Sequence, residues 1–229
     1  MTTSPNEAGQ SAWWRSCRKP FPDLVNSTAI KEAVGEVYGI DAEVLPPPPA
    51  MDREGPVAPM AGIRLPYLLC VARLMPYKNV DVVIRAVRGL DGIGLVVVGK
   101  GPDEARLTDL AADHPDIHIL GGVSEENLRW LYANCVGLVA ASPEDFGLTP
   151  LEAANFGKPT AALHRGGYLD TVDPEINGVF FETPNDTDVQ AGVSQLLDRD
   201  WNTTKVTAHA ELFSQQRFTD RLHEIVAET

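Results

Sequence analysis

From Tyr67 onward the chain repeats one pattern: a short aliphatic run, a turn, then a stretch with helical spacing. The runs are Tyr67–Ala72, Gly94–Val98, Ile117–Leu120, Val136–Ala141, Pro159–Leu163 and Gly178–Phe181. They are apolar at nearly every position instead of alternating with polar residues. A strand apolar on both faces must be covered on both sides, which is the condition of a parallel sheet with helices above and below it. The intervening stretches have the period to do this. Val80, Val83, Ile84 and Val87 share one face of a helix predicted over Asn79–Leu90. Further helices are predicted over Pro102–Ala112, from a Ser124 cap through Ala133, and over Leu148–Phe156. Three more follow near Asp186–Leu197, Thr204–Phe213 and Thr219–Ala227. With right-handed crossovers, the pattern specifies an α/β, doubly wound, parallel Rossmann-like sheet of about six strands with C-terminal helices.

The first 65 residues differ. Residues 1–12 are polar, and residues 1–20 read as a flexible arm. Within them Trp13, Trp14, Arg15, Arg18 and Lys19 form a small basic-aromatic patch that could instead touch a membrane surface or another domain. A helix is predicted over Thr28–Tyr38 between two short strands. Pro46–Pro49 is a polyproline stretch, and the run to Leu65 reads as a linker. The start lacks the basic and apolar regions of a signal peptide, and no apolar stretch approaches the roughly 18 residues of a membrane span.

Composition limits the partners. The 19 Lys and Arg against 32 Asp and Glu leave a formal charge of −13. That excludes a nucleic-acid polyanion as the expected partner. Of three cysteines, Cys17 stands apart, while Cys70 and Cys135 lie inside apolar runs. Buried free thiols and a reducing, cytoplasmic compartment are expected.

In an open parallel sheet, ligands bind beyond the carboxyl ends of the strands. The turns at those ends are Arg73–Lys78, Gly99–Pro102, Gly121–Ser124, Ser142–Thr149 and His164–Gly167. Each carries Gly or charge. The most telling is Glu144-Asp-Phe-Gly-Leu-Thr-Pro-Leu-Glu152, which sets two carboxylates astride a Phe-Gly turn at a helix start. Free N–H groups at such a start suit a phosphate, and carboxylates accept from hydroxyls. Amides for phosphate plus acids for hydroxyls describe a sugar-nucleotide site. Arg73 and Lys78 are the candidate cations for a diphosphate. The structural alternative is an Arg satisfied by a nearby acid, a solvated Lys and a first-turn Glu152 favoured by the helix dipole. His114 and His118 have a metal-like spacing, but Pro115 lies between them and His118 starts a strand, so a structural role is expected. His164 stands on the rim as either a ligand contact or an ordinary loop residue. No metal site and no cofactor are expected.

With these elements placed, the chain resembles the C-terminal donor-binding domain of retaining GT-B glycosyltransferases of the family-4 type. The matching motifs are Val71–Lys78, Val97–Pro102, Leu120–Ser124, Glu144–Glu152, Gly157–Thr160, Arg165–Val172 and Asn177–Phe181. The Leu74–Asp81 stretch, with Glu144–Gly147, is most similar to bacterial mannosyltransferases of surface polysaccharide synthesis, which implies GDP-mannose as donor. The resemblance implies that Arg73 and Lys78 contact the diphosphate and that Glu144 binds hydroxyls of the transferred sugar. It puts backbone N–H groups of Phe146, Gly147, Leu148 and Thr149 on the sugar and phosphates, and Glu152 on the ribose. Gly122 and Val123 would lie beside the base, and Gly99 and Gly101 in the donor loop.

It divides the chain into an arm (1–20), a remnant of an N-terminal domain with its linker (21–65) and the donor domain (66–229). Most of an acceptor domain is missing from such a chain. Two readings are open: a hexosyltransferase, with Arg73, Lys78 and Glu144 as its catalytic set, whose acceptor site comes from a partner chain, a homo-oligomer or a longer protein; or a non-catalytic module that binds a sugar nucleotide or a protein.

Overall fold

The structure, a computed structural model, describes residues 22–228. The arm read over 1–20, with its basic-aromatic patch and Cys17, lies outside the described residues. The described chain opens with β1 (Leu24–Val25), α1 (Thr28–Tyr38) and β2 (Glu43–Val44), a parallel two-stranded unit. There follow β3 (Tyr67–Val71), α2 (Val80–Arg88), β4 (Gly94–Val98), α3 (Glu104–Ala111), β5 (Ile117–Ile119) and α4 (Glu125–Asn134). The second half runs β6 (Gly137–Ala140), α5 (Leu148–Asn155), β7 (Thr160–Leu163), α6 (Tyr168–Thr171) and β8 (Gly178–Phe181). The chain closes with α7 (Asp186–Leu197), α8 (Thr203–Ala210) and α9 (Gln215–Ala227).

Strands β3 to β8 form one six-stranded sheet in the order β5-β4-β3-β6-β7-β8, parallel throughout. Successive residues of a strand serve opposite layers, as a two-residue period demands. Leu68, Cys70, Leu95 and Val97 pack under α2 and α7 with Val83, Val87, Val189 and Val193. Tyr67, Leu69, Val96 and Val98 pack on the other side with Leu131, Tyr132, Leu138 and Ala153. Cys70 and Cys135 are free and buried, and burial pushes both thiols up to about 12. Among the described residues no helix is long and apolar enough to cross a membrane.

Helix starts follow side-chain caps. Ser27, Ser124, Asn185, Asn202 and Ser214 each accept a hydrogen bond from a first-turn N–H. Ser214 explains why α9 begins at Gln215, ahead of the start expected at Thr219. Glu211–Phe213 tightens into a 3₁₀ turn, so the helix expected to run to Phe213 stops being α-helical at Ala210. The linker is not loose. The Arg129 guanidinium donates to the carbonyls of Asp52 (2.6 Å) and Pro56 (3.3 Å), and Asn127 donates to Ala58 (3.0 Å). Met60 and Ile63 pack against the second layer. The β1–α1–β2 unit is tied to the main domain at two places. The Thr28 N–H donates to Asp170 (2.6 Å), and Arg221 on α9 pairs with Glu43 (2.7 Å).

One glycine shows how tightly the loops at the carboxyl ends pack. Gly99 has φ +148°, and a Cβ there would stand 1.7 Å from the Ala72 carbonyl oxygen. Gly99→Ala should lower unfolding stability by about 3 kcal/mol or more, because backbone cannot yield to the added methyl. Gly122→Ala should cost less than about 1 kcal/mol, since its methyl would meet only the flexible Lys100 side chain. Urea denaturation of both variants checks this pair; equal losses would contradict it.

Candidate functional site

Strand order reverses between β3 and β6. The chain proceeds from β3 outward through β4 and β5, then returns to the other side of β3 and continues through β6, β7 and β8. Loops leaving the carboxyl ends of β3 and β6 diverge at such a point and leave a crevice between them. Both halves of the expected site stand on these two loops.

The loop after β3 carries Arg73 and ends in a single 3₁₀ turn, Pro76–Lys78. Asn79 then adopts φ 54°, a left-handed conformation that Asn tolerates better than most residues. Its side chain donates from Nδ2 to the Ala141 carbonyl (2.8 Å), at the end of β6. This bond clips the two loops together. Beside it the Lys78 ammonium pairs with Glu144 Oε1, and the Ser142 hydroxyl donates to the same oxygen (2.8 Å). The Lys78 side chain is only 10% exposed and that of Glu144 30%, so solvent screens this pair less than an ordinary surface ion pair. The Glu144 backbone is fixed as well. It bridges to Gly166, and its carbonyl accepts from the Gly167 N–H (2.8 Å).

The turn between the two acids is rigid. Phe146 is buried and its ring tilts against Phe213, with centroids 6.0 Å apart. Gly147 has φ 90°, and a Cβ there would stand 2.5 Å from the Tyr168 ring. No side chain caps α5 at this end, so the N–H groups of Gly147, Leu148 and Thr149 have no intrahelical partner. They point where an anion would bind. One turn into α5, Glu152 Oε2 accepts from the Tyr132 hydroxyl (2.7 Å). Burial pushes the Glu152 carboxyl above its ordinary range, and the hydrogen bond from Tyr132 partly opposes this.

The structure thus brings Lys78, Glu144 and the Phe146–Thr149 turn together at the switch point. It pairs Lys78 with Glu144 directly, an association the sequence did not predict. Arg73 is exposed on the same loop, and its guanidinium makes no hydrogen bond or ion pair with a described residue. Gly99 and Gly101 face the Ala72 and Leu74 carbonyls, not open space. Their loop is stitched to the β3 loop by the Leu74 N–H to Lys100 carbonyl bond (3.0 Å) and the Asp103 N–H to Leu74 carbonyl bond (3.1 Å). Gly122 and Val123 follow β5, two strands away from the ion pair, with the Lys100 side chain lying over Gly122. His164 is engaged by Glu182 (2.9 Å) and by the Phe180 ring. Sequence reasoning missed Ser142, Asn79 and Tyr132. Ser142, two residues before Glu144, had a local signal; Tyr132, twenty residues before its partner, had none.

Residues 63–211 match the family Glycosyl transferases group 1. Among curated proteins, the GDP-mannose-dependent alpha-(1-6)-phosphatidylinositol monomannoside mannosyltransferase of Mycobacterium tuberculosis is 32% identical over 182 residues, covering 71% of this chain and 46% of that protein. The glycogen synthase of Thermus thermophilus is 30% identical over 184 residues, covering 71% and 42%. The chain spans less than half the length of these relatives. A solved glycosyltransferase from Rickettsia africae superposes with a TM-score of 0.81 at 21% identity, covering all of this chain and 68% of that one. Anabaena Alr3699/HepE, solved in complex with UDP-glucose, gives 0.75 at 18% identity, covering 99% and 70%. At these identities the likeness is one of fold.

Glu152 carries a stability consequence. A carboxyl with a raised folded-state pKa costs stability once pH rises through that pKa. Glu152→Gln should therefore raise the melting temperature at pH 7. The gain should fade as pH falls toward about 4.3, the ordinary range of glutamate. A lower melting temperature at pH 7 would contradict the role of burial there.

Proposed function

This chain belongs to the glycosyl transferases group 1 family, and from that membership we propose that it binds a nucleotide-diphosphate sugar as the donor half of a retaining hexosyltransferase. The observation that carries the reading is the Lys78–Glu144 pair held at the switch point beside the free N–H groups of α5. A cation, a hydroxyl-accepting carboxylate and an anion-binding helix start meet where a sugar joins its diphosphate.

In this reading Arg73 and Lys78 face the diphosphate. Glu144 Oε1 is already occupied by Lys78 and Ser142, so its other oxygen accepts from the sugar hydroxyls. Backbone N–H groups from Phe146 to Thr149 receive the phosphates, Glu152 takes the ribose and the Gly122–Val123 turn flanks the base. Gly99 and Gly101 let the β4 loop close against the β3 loop that bears Arg73. As the anomeric C–O bond breaks, negative charge grows on the departing diphosphate. Preorganised cations and amides in a partly dry crevice stabilise that charge most. An acceptor hydroxyl attacks on the same face, giving retention, and its proton passes to the departing diphosphate oxygen. Arg73 and Lys78 supply the counter-charge, so the reading needs no metal. The acceptor site comes from the remainder of a longer protein or from a partner chain, since this chain spans 46% of the mannosyltransferase relative. That relative, GDP-mannose-dependent by name, favours mannose and GDP.

Thermal denaturation with GDP-mannose, UDP-glucose, ADP-glucose and the bare diphosphates tests this. At one hundred times Kd a ligand of the native state adds about 2.7 kcal/mol, on the order of 5–10 °C for a domain this size. No shift with any of them at millimolar levels would overturn the reading. Glu144→Ala should weaken the sugar nucleotide at least about tenfold more than the bare nucleotide, a difference of about 1.4 kcal/mol. Equal losses in calorimetry would remove Glu144 from the sugar. Arg73→Ala should weaken both forms by about tenfold.

A further inference from the structure

Tyr132 lies on α4, fully buried in the sheet layer that holds Tyr67, Leu69, Leu131 and Leu138. Its ring stacks on Phe156, with centroids 5.6 Å apart and planes 10° from parallel. A phenylalanine would fill this space equally well, and the layer would lose no apolar contact. The hydroxyl reaches the Oε2 of Glu152 at 2.7 Å. Setting a buried phenol against a carboxylate costs desolvation that packing alone does not require. Glu152 Oε1, in contrast, has no hydrogen-bond partner among the described residues. It is also not among the side-chain atoms buried without a partner. One oxygen is therefore held by the protein and the other is left open.

We propose that Tyr132 is the positioning residue of the ribose subsite: its hydroxyl holds Glu152 Oε2 so that Oε1 faces the hydroxyls of the donor's ribose. The inference rests on the donor reading above. The Phe156 stack fixes the tyrosine ring, the ring fixes its hydroxyl, and the hydroxyl fixes the plane of the carboxylate. A carboxylate oriented before the ligand arrives loses less freedom on binding. The same bond favours the ionised carboxylate against burial, and an ionised carboxylate is acceptor-only, with lone pairs for both hydroxyls of a vicinal diol. Tyr132 itself remains a donor, because burial and then Glu152 push its phenol well above the ordinary range.

The test is calorimetry of the full chain with GDP and UDP and with their 2′,3′-dideoxy counterparts. The unsubstituted protein should prefer the ribonucleotide. In Tyr132→Phe the ribonucleotide should weaken about tenfold and the dideoxy form less than about twofold, so the preference collapses. On a Glu152→Gln background, Tyr132→Phe should change ribonucleotide affinity less than about twofold, because coupled residues are not additive. A preserved ribose preference in Tyr132→Phe, or equal weakening of both nucleotides, overturns the inference. Absence of nucleotide binding by the unsubstituted protein strikes the donor reading instead. Should Tyr132→Phe not fold, crystals of the unsubstituted protein with the bound diphosphate decide the matter. Oε2 on Tyr132 with Oε1 on a ribose hydroxyl upholds the inference; a ribose held by other side chains overturns it.

Discussion

The site depends on how the loops after β3 and β6 are joined. Adjacent parallel strands whose chains run to opposite sides send their loops apart and leave a crevice between them. Here two side-chain contacts span the gap. Asn79 bonds the Ala141 carbonyl, and Lys78 pairs with Glu144. The first is neutral and fixes the backbone; the second is charged and fixes the chemistry. Without the Asn79 bond, Lys78 would hang from a loop with one short 3₁₀ turn. With it, the ammonium emerges at a set height above the sheet. The ion pair then does what an isolated buried charge cannot: each group supplies the other's counter-charge until a ligand arrives. Ser142 and the Gly167 N–H hold Glu144 from two further sides, by side chain and by backbone. Little rearrangement is left for binding to drive.

Much of this architecture was legible in the residues. Gly94–Val98, Gly178–Phe181, Thr28–Tyr38 and Asp186–Leu197 fall where the apolar period and the caps put them. Ser27 and Asn185 are strong stops on the N-terminal side of their helices, and a glycine begins each of the two strands. The four-residue helix Tyr168–Thr171 is too short to show a period, and it was not foreseen. The rim position of Lys78 and Glu144 was also legible, because each follows an apolar strand. Their contact was not. It depends on β3 and β6 being neighbours, and the order β5-β4-β3-β6-β7-β8 is a property of the folded sheet. The Tyr132–Glu152 bond is hidden for a similar reason. An apolar-looking aromatic on a helix face reads as core, and in its ring it is core. Only the three-dimensional fold shows that the hydroxyl has a partner on the next helix.

The charge distribution reconciles a net-acidic protein with the proposed binding of a diphosphate. Several basic groups away from the crevice are neutralised. Arg85 pairs with Asp81 and Asp186, Arg88 with Asp113, Arg106 with Asp103, and Arg221 with Glu43. Three cations on the loops after β3, β4 and β7 differ. Arg73, Lys100 and Arg165 are exposed and pair with no described residue. The Debye length is about 8 Å at physiological ionic strength, so acids elsewhere on the surface act weakly at this rim. A ligand there meets the local groups first, and those include unpaired cations and helix-start amides beside the Lys78–Glu144 pair. The −13 total governs solubility and repels other polyanions at a distance, whereas the unpaired cations govern the crevice. This separation of scales lets an acidic surface and a rim with unpaired cations share one domain.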